Sequence, residues 1–321
     1  MTRPRVRVAE PEGFSRAALA RLREVADVAL APCSRAEIPR LFSEVDVFWF
    51  RLAHRLDDAL LPLDPRCRIV ATPVTGLDHI DLAACAKRGI RVVSLKGETE
   101  FLRDVRATAE LTLGLALALL RSIPAAAADV RAGRWERSAF RGRELFGKTA
   151  GIVGVGRLGS IVARYFAALG MRVIGCDPRS DFPEHVERVD SLPALFSQSD
   201  VVSIHASYDA STRHLIDASV LASAKAGLVL LNTARSGLVD EAALLRALAS
   251  GRIAGAALDV LSGEPDVSGA HPLVAYARAH ANLLIVPHLG GNTLESFDKT
   301  ERFVAERVVA LLAAQGQRDV G

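Results

Sequence analysis

The sequence predicts an α/β protein built from two doubly wound parallel-sheet domains, and three observations support this prediction. Apolar, β-rich runs alternate with helical patterns along most of the 321 residues, as they do where helices cover parallel sheets. The alternation falls into two series, one in roughly the first hundred residues and one that begins at Thr149. The inner strands of the second series are almost continuously apolar, which is typical of strands buried on both faces.

The first series contains two clear helical patterns, at residues 15–26 and 79–88. Ser15 is expected to cap the first helix and Gly89 to end the second, because hydroxyl side chains favour helix N-termini and glycine favours the position after a helix. The candidate strands of this series are residues 6–9, 45–50, 68–71 and 91–94.

The second series alternates more tightly and has about the size of an ordinary doubly wound domain. Its candidate strands are residues 150–155, 172–176, 201–205, 228–232, 253–259 and 283–286. Its candidate helices are residues 159–169, 192–197, 217–223 and 240–249. We therefore expect a second parallel sheet after Thr149.

Two further helices are predicted outside these alternations. The pattern at residues 106–121 is apolar on most of its circumference, which indicates either a buried core helix or a crossover helix packed between domains or against a partner subunit. The pattern at residues 294–314 follows the complete second sheet, so this last helix is free to return to the first domain.

Composition and charge exclude several classes of protein. Half of the residues are hydrophobic, which excludes intrinsic disorder, and the net charge of +3 comes from interspersed charges without the basic run of a nucleic-acid-binding arm. No secretory apolar region follows Met1, and the longest apolar run, residues 111–120, is about half a membrane span. The four cysteines are far apart, which argues against a zinc site and a disulfide framework. We expect a cytoplasmic protein without a metal, a nucleic-acid partner or a membrane span.

A glycine-rich turn between a strand and a helix predicts a dinucleotide site. Gly154 permits the tight turn, Gly156 lets the backbone approach a pyrophosphate, and Gly159 lets the helix pack against the strand. Asp177 ends the next strand, where a carboxylate accepts hydrogen bonds from an adenosine ribose and repels a 2′-phosphate. The sequence therefore favours NAD over NADP. Arg179 argues against this preference, because a nearby arginine can accommodate a 2′-phosphate. The alternative to ribose binding by Asp177 is a role in capping the turn.

Three charged residues follow predicted strands of the second series, and their types suit hydride transfer at a carbinol carbon. They are Arg235, Glu264 and His288, and the carboxyl ends of strands in such a sheet line the ligand crevice. His288 can exchange the hydroxyl proton, Glu264 would favour its imidazolium, and Arg235 can hold a carboxylate with two hydrogen bonds. Each alone would more often be an ordinary loop residue, so the hypothesis depends on their joint appearance.

Several stretches in the same order make the sequence resemble the D-isomer-specific 2-hydroxyacid dehydrogenases. The matching stretches are residues 75–81, 109–110, 147–159, 232–235, 256–260, 264–265 and 287–291. The resemblance implies a flavodoxin-like substrate-binding domain, residues 1–103 plus 293–321, and a Rossmann NAD-binding domain, residues 104–292. It also implies a homodimer built around the cofactor domains.

The resemblance also implies roles for single residues. Arg235 would bind the substrate carboxylate and carbonyl, His288 would be the acid/base with Glu264 as its partner, and Asp259 would hold the nicotinamide carboxamide. The implied substrate contacts are Val74, Thr75, Gly76, Arg51 and Thr108. The expected cofactor contacts are Gly154, Gly156, Arg157, Leu158, Gly159, Asp177, His205, Thr212, Thr233, Asp259 and Gly290.

The chain departs from the family pattern in ways that leave the substrate open. Residues 94–102 replace a familiar Asn/Pro/Gly segment, residues 206–208 are Ala-Ser-Tyr, and Ser236 and His79 replace a glycine and an asparagine. Arg51 stands where phosphoglycerate-specific members often place a phosphate-binding arginine, with Arg55 as a substitute for the second one. We therefore expect 3-phosphoglycerate first, then glyoxylate or hydroxypyruvate, then other 2-oxo acids.

Two other functions compete with this hypothesis. One is a non-enzymatic, NAD-sensing protein like the corepressors that resemble this family, which the complete set of three charged residues argues against. The other is formate or phosphite oxidation, which is disfavoured because formate enzymes of this type have glutamine where Glu264 stands. The chain stops at Gly321, so we expect no regulatory amino-acid-binding domain.

Overall fold

The computed structural model describes residues 3–318, which divide into two compact units. The first unit contains the residues up to Val105 together with those from Asn292 onward, and the second unit is Arg106–Gly291. The assignment of the first to substrate and of the second to cofactor stays a prediction at this point.

The first unit is a five-stranded parallel sheet with helices around it. The strand order is β2-β1-β3-β4-β5, so β1 and β3 are interior neighbours and β2 and β5 are edges. Its first eight strands and α-helices are β1 (Arg5–Val8), α1 (Arg16–Val25), β2 (Asp27–Leu30), α2 (Ile38–Glu44), β3 (Val47–Trp49), β4 (Ile69–Ala71), α3 (Leu82–Lys87) and β5 (Arg91–Val93). All of its strand pairs are parallel, as the sequence predicts.

The second unit is a seven-stranded parallel sheet with a hydrophobic core on each face. The strand order is β12-β11-β10-β9-β6-β7-β8, and the chain direction across the sheet reverses between β6 and β9. Its helices are α4 (Ala107–Leu120), α5 (Ile123–Arg131), α6 (Arg157–Ala168), α7 (Leu192–Gln198), α8 (Ala218–Ala222), α9 (Glu241–Ala249) and α10 (Pro272–Ala279). Its strands are β6 (Thr149–Val153), β7 (Arg172–Cys176), β8 (Glu187–Arg188), β9 (Val201–Ile204), β10 (Val229–Asn232), β11 (Gly255–Leu258) and β12 (Leu283–Ile285). In such a sheet the reversal creates a crevice at the carboxyl ends of the strands.

The last helix, α11 (Leu294–Arg318), packs in the first unit. Val304, Ala305 and Val308 are fully buried in the same core as Val6 and Leu22. The expected return of this helix to the first sheet is therefore confirmed. The predicted N-cap of α1 is also confirmed, because the Ser15 hydroxyl accepts a hydrogen bond from the Ala18 amide.

The sequence prediction missed short or unusual elements. Strands β2 and β8 lie at sheet edges and are largely exposed, so they lack the apolar run that marks an inner strand. Helices α2, α5 and α10 all carry a proline in the first turn, where the missing N–H would have no helical partner anyway. Their prolines mark helix starts.

Helix α4 has a buried face within the second unit, as the core-helix interpretation requires. It packs against α6, β10 and β11. Leu117 is 37% exposed on the same helix, so packing against a partner subunit stays a prediction for that face.

The described residues also show what the chain offers for membrane spans, metal sites and disulfides. No single helix within residues 3–318 is long and apolar enough to cross a membrane, although residues 101–131 meet that criterion as two helices bent by 63°. In the same range, no group of three or more His, Cys, Asp or Glu side chains is arranged to hold a metal ion. Cys33, Cys67, Cys85 and Cys176 are all free thiols.

Candidate active site

The three glycines after β6 differ in what a side chain at each position would meet. Gly154 has a φ of 86°, and a Cβ there would lie 2.6 Å from the Ala206 amide nitrogen. A Cβ on Gly159 would lie 2.0 Å from the Gly154 carbonyl oxygen, so the helix can start here only without a side chain. At Gly156 a Cβ would meet only the end of Arg179, at 3.9 Å. The backbone is thus open at the N-terminus of α6, where amide groups and the helix dipole favour phosphate.

Asp177 fastens the glycine turn to the end of β7. Its Oδ2 accepts a hydrogen bond from the Val155 amide at 2.7 Å, and its Oδ1 accepts bonds from the Arg179 amide and Nε at 2.9 and 3.1 Å. Burial pushes the pKa of Asp177 upward, but these hydrogen bonds outweigh it and bring the pKa below its ordinary value. The Asp177 carboxylate is therefore ionised. Arg179, the residue that argued for NADP in the sequence, is already paired with this carboxylate.

His205, one of the predicted cofactor contacts, has a buried and neutral ring. It follows β9, and its Nε2 lies 2.8 Å from the Ser203 hydroxyl, whereas its shielded Nδ1 has no hydrogen-bond partner among residues 3–318. Burial lowers the pKa of His205 to about 4, so the ring is neutral at physiological pH. A shielded nitrogen without a partner is costly. Together with the open glycine turn, it shows that the residues present fit a dinucleotide.

Four further expected cofactor residues of the second unit lie in three places. Thr233 follows β10, and its hydroxyl lies 2.7 Å from the Thr112 hydroxyl on α4. Thr212 closes the turn after His205 by donating a hydrogen bond to the Ser207 carbonyl at 2.9 Å. Arg157 and Leu158 begin α6; burial lowers the pKa of Arg157, and Leu158 packs on the core.

Asp259 connects the ends of three neighbouring strands. Its amide donates to the Asn232 carbonyl at the end of β10, and its carboxylate accepts hydrogen bonds from the Leu289 and Gly290 amides at 2.5 and 2.9 Å. It is only 1% exposed. Burial raises the pKa of Asp259, and the hydrogen bond from Leu289 and the nearby His288 oppose the shift. This carboxylate therefore fixes the backbone at Leu289 and at Gly290, the predicted cofactor contact.

His288 is held in a backbone conformation that few residues adopt. Its φ is 52°, in the left-handed region that costs a residue other than glycine about 1–2 kcal/mol. The His288 amide donates to the Asp259 carbonyl at 2.9 Å and to the Val286 carbonyl at 3.1 Å. These contacts hold the turn that points the ring toward Glu264. Strain of this kind concentrates at functional sites.

The imidazole and carboxylate predicted to work together are in contact. His288 Nδ1 lies 2.6 Å from Glu264 Oε2, and Glu264 Oε1 accepts a hydrogen bond from the Leu261 amide at 2.5 Å. The side chains of His288 and Glu264 are 24% and 30% exposed, so the pair remains accessible. Because Glu264 occupies Nδ1, Nε2 is the ring atom left to exchange a proton with a substrate.

Arg235 is tied to the same strand ends through Asn232. The Asn232 amide group donates to the Arg235 carbonyl at 2.9 Å, and its side-chain oxygen accepts from the Ala234 amide at 3.0 Å. Since the Asn232 carbonyl also binds the Asp259 amide, a continuous set of hydrogen bonds joins the Arg235 turn to the His288 turn. Sequence reasoning assigned no role to Asn232. The signal that could have found it is an amide residue at the end of an apolar strand. Its side chain is fully buried and therefore needs hydrogen-bond partners.

The expected substrate contacts lie in both units. Thr108, on α4, has its hydroxyl 3.2 Å from the position that a Cβ on Gly290 would take, so it belongs to the Asp259 neighbourhood. Val74, Thr75 and Gly76 follow β4 in the first unit, where the Val74 carbonyl accepts a hydrogen bond from the Leu95 amide. Thr75 is exposed.

Comparison with known proteins places the chain in a family. The sequence model for the D-isomer specific 2-hydroxyacid dehydrogenase NAD-binding domain matches residues 113–290, which is more than half of the chain. The chain belongs to the D-isomer-specific 2-hydroxyacid dehydrogenase family. Its matched residues are the family's NAD-binding domain and include the glycine turn, Asp259 and His288.

Curated members of this dehydrogenase family differ in substrate. The chain is 38% identical over 276 residues to the D-3-phosphoglycerate dehydrogenase of Mycobacterium tuberculosis, covering 85% of this chain and 50% of that protein. It thus spans about half the length of that relative. It is also 34% identical over 299 residues to the hydroxypyruvate reductase of Thermotoga maritima, covering 92% and 94% of the two chains.

Solved structures of similar proteins share the whole fold. The TT0316 protein of Thermus thermophilus has a TM-score of 0.84 and 33% identity over 97% of each chain. The D-lactate dehydrogenase of Aquifex aeolicus, solved with NAD and lactic acid, has a TM-score of 0.79 and 27% identity, covering 98% of this chain and 96% of that one. The predicted fold class, two parallel-sheet α/β domains, is confirmed.

The structure places Arg51, for which the resemblance implies a substrate contact, in a buried ion pair with Glu301. Its Nε donates to Glu301 Oε1 at 2.9 Å, and its Nη1 donates to the Glu10 and Glu12 carbonyls at 3.1 Å. Phe297 covers the guanidinium plane at 4.2 Å. The Arg51 side chain is 10% exposed and that of Glu301 is fully buried, so the charge of Arg51 is used inside the first unit.

Proposed function

We propose that the protein is an NAD-dependent dehydrogenase that interconverts a small 2-hydroxy acid and its 2-oxo acid. The observation that carries the proposal is the 2.6 Å contact between His288 and Glu264 at the carboxyl edge of the sheet that also carries the glycine turn. An imidazole backed by a carboxylate is a general acid/base for a carbinol oxygen. Family membership supports the same reaction.

The chain's own residues account for every part of the chemistry except the hydride. NAD, when bound, supplies or accepts the hydride. In reduction, protonated His288 donates from Nε2 to the carbonyl oxygen, and in oxidation neutral His288 accepts the hydroxyl proton there. Glu264 stabilises the imidazolium and fixes the ring through Nδ1. Arg235 binds the substrate carboxylate and polarises the neighbouring carbonyl.

The substrate we propose is an unphosphorylated acid of the glyoxylate or hydroxypyruvate class. The buried pairing of Arg51 with Glu301 supports this choice, because it removes the arginine that suggested 3-phosphoglycerate. Relatives named for both substrate classes match the chain with similar identity. Arg55 is exposed and is the remaining candidate for a phosphate contact.

Purified protein should oxidise NADH with glyoxylate or hydroxypyruvate at a kcat/KM at least about tenfold above that with 3-phosphohydroxypyruvate, a difference of about 1.4 kcal/mol. Pyruvate and NADPH complete the panel in a spectrophotometric assay at 340 nm. The Arg55→Gln variant is the matched test of phosphate recognition. A preference for the phosphorylated acid that this variant abolishes would overturn the substrate assignment, and inactivity with every acid would overturn the proposed function.

Cofactor choice gives a second prediction, which depends on Asp177. Replacing Asp177 with alanine should lower kcat/KM for NADH about 10- to 100-fold, the cost of a hydrogen bond to a charged group. The same change should raise kcat/KM for NADPH, because the carboxylate that repels a 2′-phosphate is gone and Arg179 loses its partner. Asp181→Asn, an exposed carboxylate in the next turn, is the control and should change neither value. Equal losses with both cofactors would show that Asp177 only supports the turn.

A homodimer in the cytoplasm completes the proposal. Its support is the apolar surface around α4 and α5, where Leu117, Ile123, Val130 and Trp135 are exposed, Trp135 by 88%. Apolar side chains exposed on consecutive elements favour an interface at this surface. Four free thiols agree with a reducing compartment.

A further inference from the structure

The loop that carries Glu264 is anchored from outside the catalytic pair. Glu241 lies in the first turn of α9, and its carboxylate accepts two hydrogen bonds from Ser262. The Ser262 amide donates to Oε1 at 2.8 Å and its hydroxyl donates to Oε2 at 2.5 Å. Neither Glu241 nor Ser262 was identified from the sequence.

His271 brings a third element to the same carboxylate. It is the N-cap of α10, where its Nδ1 accepts a hydrogen bond from the Leu273 amide at 3.3 Å. Its Nε2 lies 3.2 Å from Glu241 Oε2 and 3.2 Å from the Ser262 hydroxyl. Since Nδ1 accepts, Nε2 carries the proton of the neutral ring and faces the Glu241 carboxylate. The side chains of His271 and Glu241 are 14% and 18% exposed, so water screens the contact little.

This arrangement is not a nucleophilic triad. In such a triad the carboxylate binds Nδ1 of the histidine while the serine binds Nε2. Here Ser262 and Glu241 both meet Nε2 of His271, and the Ser262 hydroxyl donates its hydrogen bond to the Glu241 carboxylate and not to the ring. The serine is therefore held in place and not activated.

The anchored residue is adjacent to the one that orients Glu264. Leu261, next to Ser262, donates its amide hydrogen to Glu264 Oε1, while Glu264 Oε2 binds His288. Fixing Ser262 fixes the direction of the Leu261 amide, and that amide fixes the Glu264 carboxylate against the imidazole. We propose that Glu241, Ser262 and His271 are positioning residues that hold Glu264 in register with His288. The proposal rests on the proposed function only in taking His288 as the acid/base.

Kinetics of the 321-residue chain test the proposal through a double-mutant cycle. Glu241→Gln should lower kcat about tenfold and leave the substrate KM and the NADH Kd within about twofold, because only the acid/base is displaced. In a Glu264→Gln background the same change should cost no more than about twofold, since the two act through one carboxylate. Ser262→Ala should lower kcat as much as Glu241→Gln does. Ser262→Thr, which keeps the hydroxyl, should have a kcat close to that of the unmodified protein. Asp266→Asn, an exposed carboxylate in the same loop, is the matched control.

A spectroscopic measurement without substrate separates this proposal from the proposed function. The short contact predicts a downfield proton resonance for His288 Nδ1–H, assigned by its absence from His288→Asn. The resonance should weaken or disappear in Glu241→Gln and Ser262→Ala and persist in Asp266→Asn. Its persistence in both test variants, or fully additive losses of kcat, would overturn the positioning role. If the resonance is lost in the two test variants and the unmodified protein reduces no 2-oxo acid, the positioning role would be supported and the proposed dehydrogenase activity refuted.

Discussion

Replacing His288 with asparagine is expected to lower kcat for reduction of a 2-oxo acid by about 10²- to 10⁴-fold, the usual contribution of a positioned acid/base. Asparagine is the informative substitute because it tolerates positive φ, and His288 has a φ of 52°. The Asp259 and Val286 carbonyls can still accept from the backbone amide. The loss should therefore come from the missing proton and not from a rearranged turn.

Steady-state kinetics and NADH fluorescence titration measure this effect. The KM for the acid should change less than kcat, because Arg235 still binds the carboxylate, and the NADH Kd should stay within about threefold of that of the unmodified protein. His214→Asn is a matched control, since His214 has a φ of 51° and lies in the same unit. A His288→Asn protein with more than about a tenth of the original kcat would rule out His288 as the acid/base.

Replacing Arg235 is expected to have the next largest effect. Arg235→Gln should lower kcat/KM by about 10³-fold, because a bidentate guanidinium–carboxylate contact is lost together with the charge that polarises the carbonyl. Arg235→Lys should recover only part of this loss, since an ammonium group keeps the charge but not the planar pair of donors. Both KM and kcat should worsen, because the carboxylate is bound in the ground state and in the transition state.

The control for this second prediction is Arg246→Gln, which removes an exposed arginine from α9. Activity across acids and neutral carbonyl compounds gives a further comparison. Arg235→Gln should narrow the difference in kcat/KM between a 2-oxo acid and its amide, because Arg235 is proposed to recognise the carboxylate. Equal loss with both compounds would mean that Arg235 only maintains the turn after β10.

The glycine turn and the contact between Glu264 and His288 could be predicted because local rules constrain them. Three glycines at fixed spacing between a strand and a helix leave few structures other than a phosphate turn. Glu264 and His288 lie 24 residues apart, but both follow strands of one parallel sheet, so their strand ends had to face the same edge. The parallel sheets themselves followed from alternating strands and helices, whereas the strand order came only from the structure.

The contacts that the sequence did not reveal join residues that are far apart in the sequence or that belong to no recognisable motif. Arg51 and Glu301 are 250 residues apart, and nothing in either local sequence indicates that they pair, so Arg51 was taken for an available cation. His271 is one of eight histidines, and only the fold shows that it caps α10 beside Glu241. Strand β2 is exposed at an edge and therefore lacks the apolar pattern of its neighbours.

The return of α11 to the first unit has a consequence for synthesis on the ribosome. The second unit is continuous in sequence and can fold as soon as Gly291 has emerged. The first unit, although made earlier, lacks the helix that covers Val6 and Leu22 and the carboxylate that neutralises Arg51. The half of the protein translated first is thus completed last. Until then its apolar surface is exposed in the nascent chain, as a site for chaperones or for misassembly between neighbouring chains.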